Sequence, residues 1–307
     1  MESKPHCIIV MGMAGSGKTT FVRKLYSVLK VMQKNVYSIN LDPAIRKLGF
    51  PANLDICDTI NYKKLMQEYS LGPNGAIVTA LNLFATKFFE VIDLLNSKQG
   101  IEFIIIDTPG QIETFSWSAS GSIITEALSS SFPTSMIYVV DSVRTVNPNS
   151  FMSNMLYASS LYYKNQLPII VVFNKTDLQP AETCMNWMID FESYMESLDG
   201  ISSHSYLANL NRSLALVLDE FYQDLPCLGV SSLTGFGFEN LLPNMQKSKQ
   251  EYLTIYLPEL EKKKKLIEES RVKQEIQKMK KDNEDLSEIR KFMSELRTSE
   301  KNNENST

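Results

Sequence analysis

Residues 12–19 read GMAGSGKT. They stand between an apolar run, residues 6–11, and a stretch whose apolar residues recur at helical spacing. Glycines at 12, 15 and 17 let successive backbone N–H groups turn into one anion-sized nest. A helix beginning near Lys18 adds the positive end of its dipole to the same place. The pattern GxxxxGK[ST] between strand and helix reads as a phosphate-binding loop. In it Lys18 reaches the β- and γ-phosphates and the Thr19 hydroxyl ligates Mg²⁺. Ser16 and Thr20 belong to the same loop and are counted with the binding residues. By itself the loop points to a nucleoside triphosphate and says nothing of the base.

Further short β-rich runs follow at residues 35–41, 102–107, 135–141, 168–174 and 226–231. Most are almost continuously apolar, as parallel strands buried on both faces are. Helical spacing is seen between them, over 18–32, 84–95, 151–163, 185–197 and 207–222. Strand–helix alternation predicts an α/β fold, a doubly wound and mostly parallel sheet flanked by helices, the architecture of P-loop NTPases. No internal repeat is seen.

The chain has 307 residues, 43% hydrophobic and 21% charged, the profile of a soluble globular protein with ample core. Its formal charge of −4 calls for no direct nucleic-acid partner. No apolar run approaches the roughly 20 residues of a membrane span. Cys7, Cys57, Cys184 and Cys227 form no CxxC pair, which points to reduced thiols rather than zinc or disulfides and predicts a cytoplasmic or nuclear setting. Charge is unevenly placed: 28 of the 61 residues in 247–307 are charged against 38 of 246 before them. This divides the chain into a nucleotide-binding domain, 1–246, and a charged helical tail, 247–307, whose polar end is expected to be disordered. The spacing of Leu286, Ile289, Phe292 and Leu296 resembles an export signal, and the Lys262–Lys265 run a basic address; a solvated helix face accounts for both.

Two more motifs follow predicted strands. Residues 174–177 read NKTD. The Asp177 carboxylate suits the paired N1–H and N2–H donors of guanine, a pair that adenine lacks. Lys175 would lie over the base and Asn174 would hold the loop. Ser231 and Leu233, after the last strand, are placed beneath the base as its backbone support. Residues 107–110 read DTPG: Asp107 would hold Mg²⁺ through water, the Gly110 N–H would meet the γ-phosphate, and Gln111 would orient the attacking water.

A P-loop, then Gly72-Pro73-Asn74, then DTPGQIE and NKTD, in this order over roughly residues 5–245, resembles the GPN-loop GTPases. The segments FSWSASGSIITEAL and NPNSFMSNMLYA are similar to the first of the family's eukaryotic paralogues. By composition alone Gly72–Asn74 is a turn. The resemblance implies a dimer, either of two copies or with a GPN-loop paralogue, in which Asn74 of one subunit stabilises the transition state in the other. It also implies that Asp42, in NLDPA, orients water or approaches Mg²⁺. Hydrolysis of GTP to GDP would then switch a surface near Phe115–Trp117 and 123–128 that binds clients. The resemblance implies RNA polymerase II subunits or assembly factors as those clients, with nuclear import and cytoplasm-to-nucleus shuttling. Two other readings stand: an adaptor that shares every binding residue and in which GTP is structural, and a P-loop kinase, against which NKTD argues.

Overall fold

The structure is a computed structural model and describes residues 4–45, 47–202, 206–223, 225–266 and 270. The sheet has seven strands: β1 His6–Gly12, β2 Val36–Asn40, β3 Leu54–Asp55, β4 Phe103–Asp107, β5 Thr134–Asp141, β6 Ile169–Asn174 and β7 Cys227–Gly229. Their order is β3-β2-β4-β1-β5-β6-β7, and every described pair is parallel. The chain leaves β1 for one side of the sheet and later crosses to the other. A crevice therefore opens beyond the carboxyl end of β1, where ligands bind in open α/β sheets.

Near-continuous apolar strands are explained by burial on both faces: all seven residues of β1 and all eight of β5 are buried. Ile8 and Val10 alternate onto one face with Ile105, Ile137, Val139, Ile170 and Val172. Against them lie Phe21 and Leu25 of the Lys18–Val31 helix and Phe238 and Leu241 of the Phe238–Glu251 helix. The Phe21 and Phe238 rings stand 5.3 Å apart and join the two helices. This core seats the first helix rigidly behind the phosphate loop.

Three expectations from periodicity need correction. The helix expected over 84–95 is two helices, Pro73–Thr86 and Phe88–Ser97, bent by 55° at Lys87. The Thr86 hydroxyl takes the Leu83 carbonyl and the Lys87 N–H takes that of Phe84, which ends the first helix. The Phe84 and Phe88 rings still meet at 5.9 Å, so the apolar stripe runs across the break and hides it. Likewise 185–197 divides into Glu182–Ile189 and Phe191–Ser202, because the Asp190 carboxylate caps the Glu192 N–H at 3.0 Å. The run 226–231 is a strand only over Cys227–Gly229. The short β3 strand and the helices Ile112–Ser116, Ala119–Ser131 and Phe238–Glu251 were not expected.

The first compact unit extends through Tyr256, past the composition break at 246. The second begins at Leu257 and is helical as far as 266; the export-like spacing lies outside the described residues. Among the described residues no single helix is long and apolar enough to cross a membrane. All four cysteines are unpaired.

Candidate functional site

Three strand ends build the site. β1 runs into the phosphate loop, where Gly12, Gly15 and Gly17 all have positive φ, at 151°, 81° and 92°. A Cβ on Gly12 would sit 2.3 Å from the Val139 carbonyl oxygen, and one on Gly17 would sit 2.6 Å from Asn174 Nδ2. Gly17 then caps the Lys18–Val31 helix in the left-handed conformation. No larger residue fits either place, so the glycines serve both conformation and close approach.

Lys18 is buried, and its ammonium donates to the carbonyls of Gly12 (2.7 Å), Met13 (3.0 Å) and Gly110 (3.0 Å). Burial lowers its pKa to about 8, against the pull of Asp107, Asp42 and Glu113. β4 ends at Asp107, in register with Val10 of β1 and Asn40 of β2. Asp107 is fully buried, and neither carboxylate oxygen receives a hydrogen bond of good geometry. Burial pushes its pKa up to about 7, opposed by the neighbouring Thr19 hydroxyl and Lys18. The Ser16 hydroxyl is orphaned too. Orphaned buried oxygens are costly unless something meets them.

Asp42 follows β2 and accepts the Ala44 N–H at 2.9 Å. Burial raises its pKa, while the Ala44 and Gly110 N–H groups lower it. Its Oδ2 lies 4.0 Å from the place of a Cβ on Gly110. Gln111 is next in sequence and starts the Ile112–Ser116 helix. Asp42, Gly110 and Gln111 are thus gathered opposite Lys18. Asp107, Asp42 and Thr19 are hard oxygen donors, the kind Mg²⁺ takes, and the unmet Asp107 oxygens fit such an ion. Among the described residues no three Asp, Glu, His or Cys side chains form a cage of their own, so an ion here would share its ligands with phosphate.

The third group follows β6. Asn174 Nδ2 donates to the Ser16 carbonyl at 2.9 Å, and its Oδ1 accepts from the Ser232 N–H (3.1 Å) and hydroxyl (2.8 Å). One buried amide thus joins the phosphate loop to the loop after β7. Asp177, exposed, accepts the Ser231 hydroxyl at 2.6 Å. Leu233 is 71% exposed beside it. Lys175 donates to the Gly15 carbonyl at 2.8 Å and to Asp141 Oδ2 at 2.7 Å. Its φ is +69°, a conformation that costs a side-chain-bearing residue about 1–2 kcal/mol, so the loop is held rather than relaxed.

Of the expected site residues, Gly12, Gly15, Ser16, Gly17, Lys18, Thr19, Asp42, Asp107, Gly110 and Gln111 converge on one side. Asn174, Lys175, Asp177 and Ser231 close the other. Thr20 is half-buried in the first helix. Gly72, Pro73 and Asn74 open the Pro73–Thr86 helix as cap and first turn, all exposed, and the Tyr62 hydroxyl donates to the Pro73 carbonyl at 3.1 Å. The GPN segment is therefore a helix start rather than a free turn, with Pro73 at a position where a missing N–H costs nothing.

Two residues escaped the sequence reading. The Thr108 hydroxyl donates to the Val10 carbonyl at 2.7 Å and clamps the DTPG segment to β1. Asp141 ends β5 in register with Asn174. Its signal was available: an Asp closing an apolar strand before Ser142, as Asp107 does before Thr108.

A family profile described as "Conserved hypothetical ATP binding protein" matches residues 10–251. The chain is 47% identical over 281 residues to GPN-loop GTPase 1 of Schizosaccharomyces pombe, covering 89% of this chain and 77% of that one. It is 49% identical over 263 residues to GPN-loop GTPase 1 of Dictyostelium discoideum, covering 85% of this chain and 66%, just under two thirds, of that relative. Among solved structures, an apo-form GTPase of Pyrococcus abyssi superposes with a TM-score of 0.70 at 25% identity, covering 79% of this chain and 97% of its own.

Proposed function

The chain belongs to the GPN-loop GTPase family, and from that premise we propose that it hydrolyses GTP to GDP and phosphate at a Mg²⁺-dependent site completed by a second subunit. The observation that carries this reading is the NKTD loop fastened to the phosphate loop through Asn174. The family profile speaks of ATP, but a carboxylate at 177 has two donors to meet on guanine and none so placed on adenine. Guanine is the base this loop is built for.

The chain's own residues divide the work. Lys18 leaves three backbone carbonyls for phosphate oxygens, a readily made exchange because it is already stripped of water. Thr19, Asp107 and Asp42 would hold Mg²⁺, which when bound offsets charge on the transferring phosphoryl group. The Gly110 N–H, which here faces the Asp42 carboxylate, would turn to the same oxygens. Asp42 and Gln111 flank the place where water attacks and orient it, and the reaction needs positioning and charge stabilisation more than covalent help. Asn74, exposed on a helix start, is the group a second subunit would receive. An amide donor aimed at developing charge in a water-poor site serves as such a stabiliser.

The partner is a second copy or a GPN-loop paralogue. The client surface follows DTPGQ, where Trp117 and Ile123 are 48% and 45% exposed. The process served is RNA polymerase II assembly and import, which places the protein in cytoplasm and nucleus. GTP turnover per subunit, measured against protein concentration with ATP as the control, tests the core of this. The rate should rise with concentration and saturate, and Asn74→Ala should lower it about 100-fold with GTP affinity retained. A rate independent of concentration where monomer is present removes Asn74 and the second subunit from the site.

A further inference from the structure

Lys175 is held in a strained backbone conformation, and the group that holds its ammonium from the far side is Asp141. This carboxylate is 8% exposed. Its Oδ1 accepts the Val143 N–H at 3.1 Å and so caps the Ser142–Thr145 turn of helix. Its Oδ2 accepts Lys175 Nζ at 2.7 Å. The carboxylate is thus fixed by its own backbone contact before it meets the lysine. Lys175 Nζ bridges from there to the Gly15 carbonyl at 2.8 Å, and its Cε passes 3.9 Å from the place of a Cβ on Gly17. The lysine stem therefore lies across the phosphate loop.

Arg144 is a second cation facing the same oxygen, at 3.6 Å, with its side chain 71% exposed and its guanidinium 3.6 Å from the place of a Cβ on Gly15. One carboxylate against two cations leaves net positive charge beside the phosphate loop. The better-buried lysine takes the short contact.

We propose that Asp141 is a positioning residue for guanine-nucleotide binding: it pins Lys175 over the phosphate loop, so that the NKTD loop and the phosphate loop move as one unit. This rests on the GTP-binding reading above. The role is indirect, because Asp141 acts through Lys175. Charge-assisted contacts of this geometry are the strong ones, and the carboxylate side of this pair is buried.

A double-mutant cycle on the full chain tests it, read by the dissociation rate of a fluorescent GTP analogue. Asp141→Asn keeps the Val143 cap but loses the charge, and should speed dissociation about tenfold. In a Lys175→Met background the same change should alter the rate less than twofold. An equal loss in both backgrounds, or no loss in either, overturns the proposal, because a purely structural Asp141 would not depend on Lys175. Should Asp141→Asn fail to fold, Asp141→Ser, whose hydroxyl still caps Val143 but falls short of the lysine, takes its place in the cycle with the same outcomes. Failure of the underlying reading looks different: the unmodified chain would then not prefer the GTP analogue to its ATP counterpart.

Discussion

His6 shows how one residue sets a pH limit far from the chemistry. It opens β1, is 2% exposed, and its Nε2 meets the Ser135 hydroxyl at 2.9 Å. Burial, and secondly the Lys249 charge, lower its pKa from 6.5 to about 3. Between those values the unfolded chain binds a proton that the folded chain refuses. Stability is therefore greatest above pH 6.5 and falls as pH drops from there towards 3, by up to about 1.4 kcal/mol per pH unit from this group. The chain has only two histidines, so the comparison is clean. His6→Gln should flatten the slope of unfolding free energy between pH 6.5 and 5, in urea titrations, by close to one proton. An unchanged slope would mean that the ring is protonated in the fold. The residue scale is also where the sequence was most readable. Gly12 and Gly17 were legible because a Cβ at either would clash with Val139 or Asn174, and that demand leaves only glycine. Asp141 was legible only as a strand-end carboxylate, since nothing in one sequence says which cation such a group will face.

Between residue and fold, the elements after DTPG matter most, because they tie the edge of the sheet that carries the motifs to the Pro148–Asn165 helix. The Ile112–Ser116 and Ala119–Ser131 helices meet at Gly121, where a Cβ would lie 1.9 Å from the Phe115 carbonyl oxygen. The junction is fixed further by Ser118, whose hydroxyl accepts the Gly121 N–H and donates to the Phe115 carbonyl. From the Pro148–Asn165 helix, Tyr157 reaches Glu113 and Lys164 reaches the Ser116 carbonyl, with its ammonium 4.9 Å from the Trp117 ring. Gly121→Ala should force the two helices apart, cost about 1–3 kcal/mol, and slow turnover more than it weakens GTP binding. Thermal unfolding beside steady-state kinetics checks it; a variant as stable and as fast as the parent would show that the junction gives freely. These helices were invisible to periodicity for a plain reason. Ala119–Ser131 buries Ser120, Gly121, Thr125 and Ser129 beside Ile124 and Leu128, so its inner face does not read as apolar. Lys87 and Asp190 show the converse, where continuous stripes conceal real breaks.

At the scale of the whole molecule, the strand-end motifs were legible in advance because a parallel sheet puts every β-to-α turn on one edge. P-loop, DTPG and NKTD had to share that edge, and the placing of β4 next to β1 with β6 two strands away brings them together. The order itself, and where the packed unit ends, were not. Composition changes at 246, but packing continues to Tyr256. The Phe238–Glu251 helix is mostly polar and buries a narrow stripe, Phe238, Leu241, Met245 and Ser248, that charge counts do not register. Tyr252 and Tyr256 extend that stripe, at 2% and 6% exposed, and the Tyr252 hydroxyl donates to the Ser129 carbonyl. Ending the chain after residue 246 should therefore remove two buried aromatic rings, each worth about 3–5 kcal/mol, and lower the melting temperature by roughly 10 °C or more. Ending it after Tyr256 should leave melting and GTP affinity unchanged, because every buried residue named here remains. Differential scanning calorimetry of both truncations against the full chain separates the cases. If the shorter truncation melts with the parent, the aromatic pair is packed but dispensable. If the longer one falls with it, residues beyond Tyr256 contribute to the stability of the nucleotide-binding unit.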